Sequence, residues 1–224
     1  MIGWYLLTAL LAIPSLWAAA RVRSTFHRFA RVGVRSGMSG AEAAHAVLRA
    51  AGISGVRVEP HRGFLTDHYD PRAKTLKLSP EVYGGRSISA VAVAAHEAGH
   101  AIQDAHRYVP LALRSAIVPV AKLGDHVWPL LFFLGLFANA TGMMYAGIVL
   151  FAAMVLFQLV TLPTEFNASS RAKAVLASSG IVSTQEEAAG VSKVLNAAAL
   201  TYVAAAVTAI VQLLYLLSLA SRRN

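Results

Sequence analysis

Residues 127–163 form a run of 37 residues with no formal charge. A bilayer core takes about 20 apolar residues per helical crossing, so this run is too long for one helix and suits two. Asn139, Thr141 and Gly142 interrupt it and supply the turn. Two further uncharged runs, 1–20 and 197–220, each suit one crossing. The sequence therefore predicts a mainly α integral membrane protein with about four transmembrane helices, near 2–20, 115–139, 142–162 and 198–220. The second must begin upstream of its apolar part, near Leu111, which obliges Arg114, Lys122 and Asp125 to face protein or the interface. Composition agrees, with 56% hydrophobic and 14% charged residues.

Charge sets the expected orientation. The segment 21–112 carries 13 of the 20 Lys and Arg residues, and such residues gather on the cytoplasmic side. Segments 21–112 and 164–196 are then cytoplasmic, and Arg222 and Arg223 are a small violation outside. A cleaved signal peptide is the competing reading of the first run, because three alanines precede Arg21. It fits less well, since no cation precedes the apolar stretch while Arg21, Arg23, Arg28, Arg31 and Arg35 follow it. The net charge of +9 is thus largely topological and suits an anionic bilayer surface. No nucleic-acid motif accompanies it, so nucleic acid is not an expected partner. With no cysteine, disulfides and thiolate ligands are excluded. The residues assign no oligomeric state.

Between the first two spans the pattern predicts a small cytoplasmic α+β insertion. A helix over 38–52 has Ser39 and Glu42 as a capping box and Gly52 as its stop. "VRVEP" reads as a strand. Residues 64–69 and 74–78 read as hairpin arms around Asp70-Pro71. A helix over about 87–106 follows. Pro163 is expected to end the third span and open a new helix over 164–178. Ser183 and Glu186 make a second capping box, for a helix that continues into the last span. The close spacing of these elements suggests a single domain, 1–224.

The 87–106 helix carries "AAHEAGHAIQDAH". His96 and His100 are four apart, on one face of a helix, where both imidazoles reach a single ion. Glu97 lies beside them and can take a proton from an attacking water. Zinc favours such ligands. A solvated helix face is the bland alternative, but the apolar flanks make a charged triplet costly unless partnered.

An open catalytic site needs a third protein ligand. His106 stands at the metzincin spacing, but Gln103 occupies the place of that motif's helix-breaking Gly. On a continuous helix His106 lies about 9 Å along the axis from His100 and roughly 240° around it. Glu165, in "LPTEFNASSRA", is the better candidate: two crossings separate it from His100, so both fall on the same side. A carboxylate favoured by a helix N-terminus explains Glu165 equally well on residue chemistry alone. Asp67, His68, Asp70 and Asp104 remain alternative ligands. A site-2-type intramembrane protease fits poorly, because the span-like runs lack acids and no Asp follows Asp125.

Together "LTDHYDP", "LSPEVY", "AVAVAAHEAGHAIQ", "FQLVTLPTEFNASSRA" and "AAALTYVAAAVTA" resemble the YugP-type family of membrane zinc metallopeptidases, over about residues 38–215. That family is similar to the HtpX proteases and the CAAX prenyl endopeptidases, whose later motif reads E-Y/F-x-A-D. The resemblance implies one zinc ion per chain, held by His96, His100 and Glu165, with Glu97 as general base. Ser169 stands where the relatives carry the Asp that orients a ligand His. It serves more weakly, and Asn167 or an acid of the hairpin could substitute.

The hairpin could hold an extended peptide by strand addition. His68, Tyr69 or Arg171 could stabilise a developing oxyanion. Structural duty in the turn explains the hairpin polar residues as well. The expected function is a zinc-dependent endopeptidase acting on membrane-associated or unfolded polypeptides at the cytoplasmic face of a bacterial cell membrane. The alternative is a non-proteolytic membrane scaffold or adaptor in which zinc fastens two helices and recruits a fourth protein ligand such as His68 or Asp67.

Overall fold

The structure, a computed structural model, describes residues 2–223, with side chains from residue 9 onward. Seven helices and one small sheet fall among the described residues: α1 Ile2–Ala30, α2 Gly40–Ala50, β1 Arg57–Pro60, β2 His68–Asp70, β3 Thr75–Leu78, α3 Pro80–Tyr83, α4 Ile88–Ala105, α5 Val109–Phe137, α6 Thr141–Ser178 and α7 Gln185–Ser221. They form two compact units. One gathers the chain up to Trp17 with Val109–Pro163 and the residues from Thr201 on; the other gathers Ala18–Tyr108 with Thr164–Leu200.

The first unit is apolar and helical. Among the described residues α5, α6 and α7 are long and apolar enough to cross a membrane, yet only 17–28% of their most apolar windows is buried. Their remaining surface, including Leu123, Leu130, Val149 and Leu214, is exposed and calls for lipid. The first expected crossing lies on α1, but its opening side chains fall outside the described ones. Helix α5 starts at Val109, upstream of its apolar part, as the length of a crossing required. Arg114 stands 5.9 Å from the centre of the Phe157 ring, whereas Lys122 and Asp125 are exposed. Trp128, Phe132, Met144, Phe151 and Leu216 make the core of this unit. A Cβ at Gly147 would fall 2.8 Å from the Trp128 carbonyl oxygen, so glycine there lets α5 and α6 touch backbone to backbone.

Pro163 does not divide the helix: α6 runs through it to Ser178. Proline withholds an amide hydrogen from the Leu159 carbonyl, but the bonds on either side hold the helical path. Thr161 Oγ1 adds a bond to the Phe157 carbonyl at 2.7 Å.

In the second unit α2 and α4 pack together and the sheet lies beside them. The Ser39–Glu42 capping box forms as expected. Helix α4 is apolar nearly all round and buried nearly all round, with Val91, Ala94, Ala95 and Ala98 in a core shared with Val47, Leu76, Leu78, Leu176 and Leu195. The sheet order is β1-β3-β2, with β2 antiparallel and β1 parallel to β3. The hairpin is shorter than expected, because Gly63 (φ 112°) and Leu65 (φ 54°) carry the chain out of strand geometry before His68. The parallel pairing of β1 and the short helix α3 were not foreseen. The second capping box is one residue later than expected. Thr184 and Glu187 exchange bonds of 3.2 Å. Glu187 is chosen because its carboxylate also accepts from the Arg35 amide at 2.6 Å.

Candidate metal centre

Helix α4 presents His96 and His100 one turn apart, with Glu97 between them, and α6 brings Glu165 to the same point. His96 Nε2 lies 3.1 Å and His100 Nε2 3.4 Å from Glu165 Oε2. The imidazole centres are 4.8 Å apart at 82°. His100 and Glu165 are buried, and His96 is nearly so. The three ligating groups lie within 4.8 Å of one another, and among the described residues they are the one cluster able to hold a metal ion.

The cluster suits zinc. A tetrahedral site with bonds of about 2.0–2.1 Å holds its donors roughly 3.4 Å apart, close to the spacing found. The far ring nitrogens are also engaged. His96 Nδ1 meets Ser169 Oγ at 3.1 Å, and His100 Nδ1 meets Gln103 Oε1 at 3.0 Å. Gln103 is fully buried, and its amide donates to the Thr164 carbonyl at 2.7 Å and to Asn167 Oδ1 at 3.0 Å. Both amide hydrogens are thereby spent, so Oε1 can only accept from His100. The proton of neutral His100 then sits on Nδ1, and Nε2 keeps its lone pair for a metal. Burial opposes a charge on His100, but the Glu165 carboxylate outweighs burial and holds the imidazole above its ordinary pKa in the metal-free chain.

Glu97 is 8% exposed, and among the described residues its carboxylate has no hydrogen-bond partner.

The other residues singled out from the sequence lie around this cluster. Arg171 donates to Asn167 Oδ1 at 2.7 Å and meets His106 Nδ1 at 3.2 Å, so it joins the centre through Asn167, Gln103 and His100. Tyr69 donates to Asp104 at 2.6 Å, and burial with this bond raises its pKa. His68 is exposed and bonds the Thr66 carbonyl. Asp67 accepts from the Ser79 amide, Asp70 from the Arg72 and Ala73 amides, and Asp104 pairs with Lys74. None of these supplies a ligand atom to the cluster. Helix α4 runs unbroken past His100 to Ala105, within one residue of the expected end, with Arg107 (φ 50°) making the turn and the Tyr108 amide closing on the Gln103 carbonyl at 2.9 Å. His106 is exposed on that turn, away from the cluster. Gln103 is the residue sequence reasoning missed; a lone Gln within an apolar helix, one turn beyond a ligand His, was its signal.

A helical chain with membrane-length spans and a buried His-His-Glu cluster around an HExxH helix defines a membrane metallopeptidase. The chain belongs to the family described as "Putative neutral zinc metallopeptidase", whose model matches residues 4–221. It is 50% identical over 200 residues to the "Putative membrane protease YugP" of Bacillus subtilis (strain 168), across 89% of this chain and 88% of that protein. No solved structure matches.

Proposed function

We propose that this zinc metallopeptidase is an endopeptidase of the bacterial cell membrane. It holds one zinc ion per chain on His96, His100 and Glu165 and cuts membrane-associated or unfolded polypeptides at the cytoplasmic face. The observation that carries the reading is the convergence of two imidazole Nε2 atoms and one carboxylate beside the unengaged Glu97. Zinc bound there supplies Lewis-acid polarisation of the scissile carbonyl and acidifies water. Glu97 accepts the proton of the attacking water and delivers it to the leaving amine. Gln103 and Ser169 keep the ligand imidazoles in one orientation and one tautomer. Burial of the cluster limits competing water. Strand β2 is an edge of the sheet and packs on α4, which supports strand addition of an extended substrate. The basic segments 21–112 and 164–196 support a cytoplasmic orientation, with crossings near 2–20, 115–139, 142–162 and 198–220 in one metallopeptidase domain.

The scaffold alternative needs a fourth protein ligand. Among the described residues the cluster has three members, and Asp67 and His68 are engaged elsewhere, which favours an open, catalytic site.

The test compares cleavage of an unfolded polypeptide by detergent-solubilised wild type and Glu97→Gln, both with zinc bound. Loss of the base is expected to slow cleavage about 10²–10⁴-fold while zinc content is kept. Equal, nonzero rates would remove Glu97 from the chemistry.

A further inference from the structure

A second concave site lies away from the metal cluster, between the cytoplasmic ends of two helices. Arg21, Ser24, Thr25 and Arg28 recur at i, i+3, i+4 and i+7 on α1, so they share one face. Lys193 and Asn196 face them from α7. These six line one cleft of about 620 Å³. Its wall holds three cations, two hydroxyls and a carboxamide, and no carboxylate.

The cations are unspent. Among the described residues Arg21, Arg28 and Lys193 form no ion pair, whereas Arg57, Lys74 and Arg86 each meet a carboxylate. Arg28 only lies 5.6 Å from the centre of its neighbour's ring, Phe29. Ordinary positive-inside charge explains basic residues near a span. It does not require them to converge from two helices on one cleft with hydroxyls and an amide between them.

The cleft is also polarised. Arg21 directly follows the apolar run 1–20, and Ala197 and Leu200 open the apolar run 197–220. Ala197 and Leu200 therefore line the cleft beside Arg21 at the end from which both spans depart, and Arg28, Phe29 and Lys193 line the other. A phosphate group takes charge-assisted hydrogen bonds from Arg and Lys. An attached acyl chain prefers the apolar end. We propose that this cleft binds a phosphate-bearing anion, the headgroup of an anionic phospholipid of the inner leaflet.

The test uses the full-length protein in neutral-detergent micelles doped with dioleoylphosphatidylglycerol, dioleoylphosphatidylcholine or inorganic phosphate. Lipid retention by native mass spectrometry and the melting temperature are read together. Two charge-matched variants are compared: Arg21→Gln/Arg28→Gln/Lys193→Gln, and Arg23→Gln/Arg62→Gln/Arg72→Gln, which removes three exposed cations elsewhere. Circular dichroism and zinc content show that each is folded. The expected result is selective retention of phosphatidylglycerol with a raised melting temperature, weakened tenfold or more in the cleft variant and kept in the control. Equal retention of the two lipids, equal losses in both variants, or an unchanged cleft variant would overturn the site. Stabilisation by inorganic phosphate with no preference for phosphatidylglycerol would overturn the lipid as its ligand.

Discussion

Gly99 of the HEAGH motif packs its backbone against Ala168 of α6, so closely that a Cβ on Gly99 would fall 2.5 Å from the Ala168 carbonyl oxygen. Ala168 lies between Glu165 and Ser169, so this contact sets how near the Glu165 carboxylate comes to the two histidines. Gly99→Ala is expected to force the helices apart, costing about 1–3 kcal/mol of stability and loosening the metal centre. Thermal unfolding and zinc stoichiometry check it. A variant with unchanged melting temperature and full zinc would show that the close approach is dispensable.

Gln103 is expected to matter for metal affinity rather than for substrate. Gln103→Ala removes the acceptor of the His100 Nδ1 proton and one donor each from the Thr164 carbonyl and Asn167 Oδ1, the latter keeping its bond from Arg171. Loss of such an outer partner commonly costs 10–100-fold in metal affinity. A chelator competition titration gives the number. Gln103→Ala with wild-type affinity would mean that burial alone fixes the imidazole.

Ser169 offers the reciprocal experiment. Its hydroxyl is the one partner of His96 Nδ1 among the described residues, at 3.1 Å. Ser169→Ala should weaken zinc binding, by less than Gln103→Ala, because one neutral acceptor is lost and the site keeps its other bonds. Ser169→Asp should tighten it, since a carboxylate accepts the imidazole proton more strongly. A looser Ser169→Asp site would show that burying the added charge outweighs the hydrogen bond.

These residues also show what a sequence discloses. His96, Glu97 and His100 are legible because one helix sets their geometry, and helical spacing is local. Glu165 needed tertiary information; it came from an even number of crossings and from resemblance, since residue chemistry left it equal to a helix-end carboxylate. Gln103 was read only as a missing Gly, because nothing periodic marks a buried amide whose NH2 group donates to partners more than sixty positions away. Ser183-x-x-Glu186 and Thr184-x-x-Glu187 satisfy the same capping pattern, and the distant Arg35 amide selects the second. Pro163 was overweighted, because a bilayer-length helix has neighbouring bonds enough to carry one lost donor. The parallel pairing of β1 with β3 had no local signal, being made across the intervening hairpin.

Asp67 connects the hairpin to pH. Burial pushes its pKa above the ordinary Asp value, the Ser79 amide opposes that, and the nearby charge of Glu97 adds to the rise. A carboxyl whose folded pKa is raised destabilises the fold when ionised, and the cost disappears as pH falls through the folded value toward the unfolded one. Asp67→Asn keeps an oxygen for the Ser79 amide, 2.7 Å away in the wild type, and carries no charge at any pH. The variant should therefore gain on the wild type at neutral pH, and that gain should shrink toward zero as pH drops below the folded pKa. Melting temperatures of the two proteins across that range decide it. A gap that widens in acid would mean that the Asp67 carboxylate is stabilised by its partners more than burial penalises it.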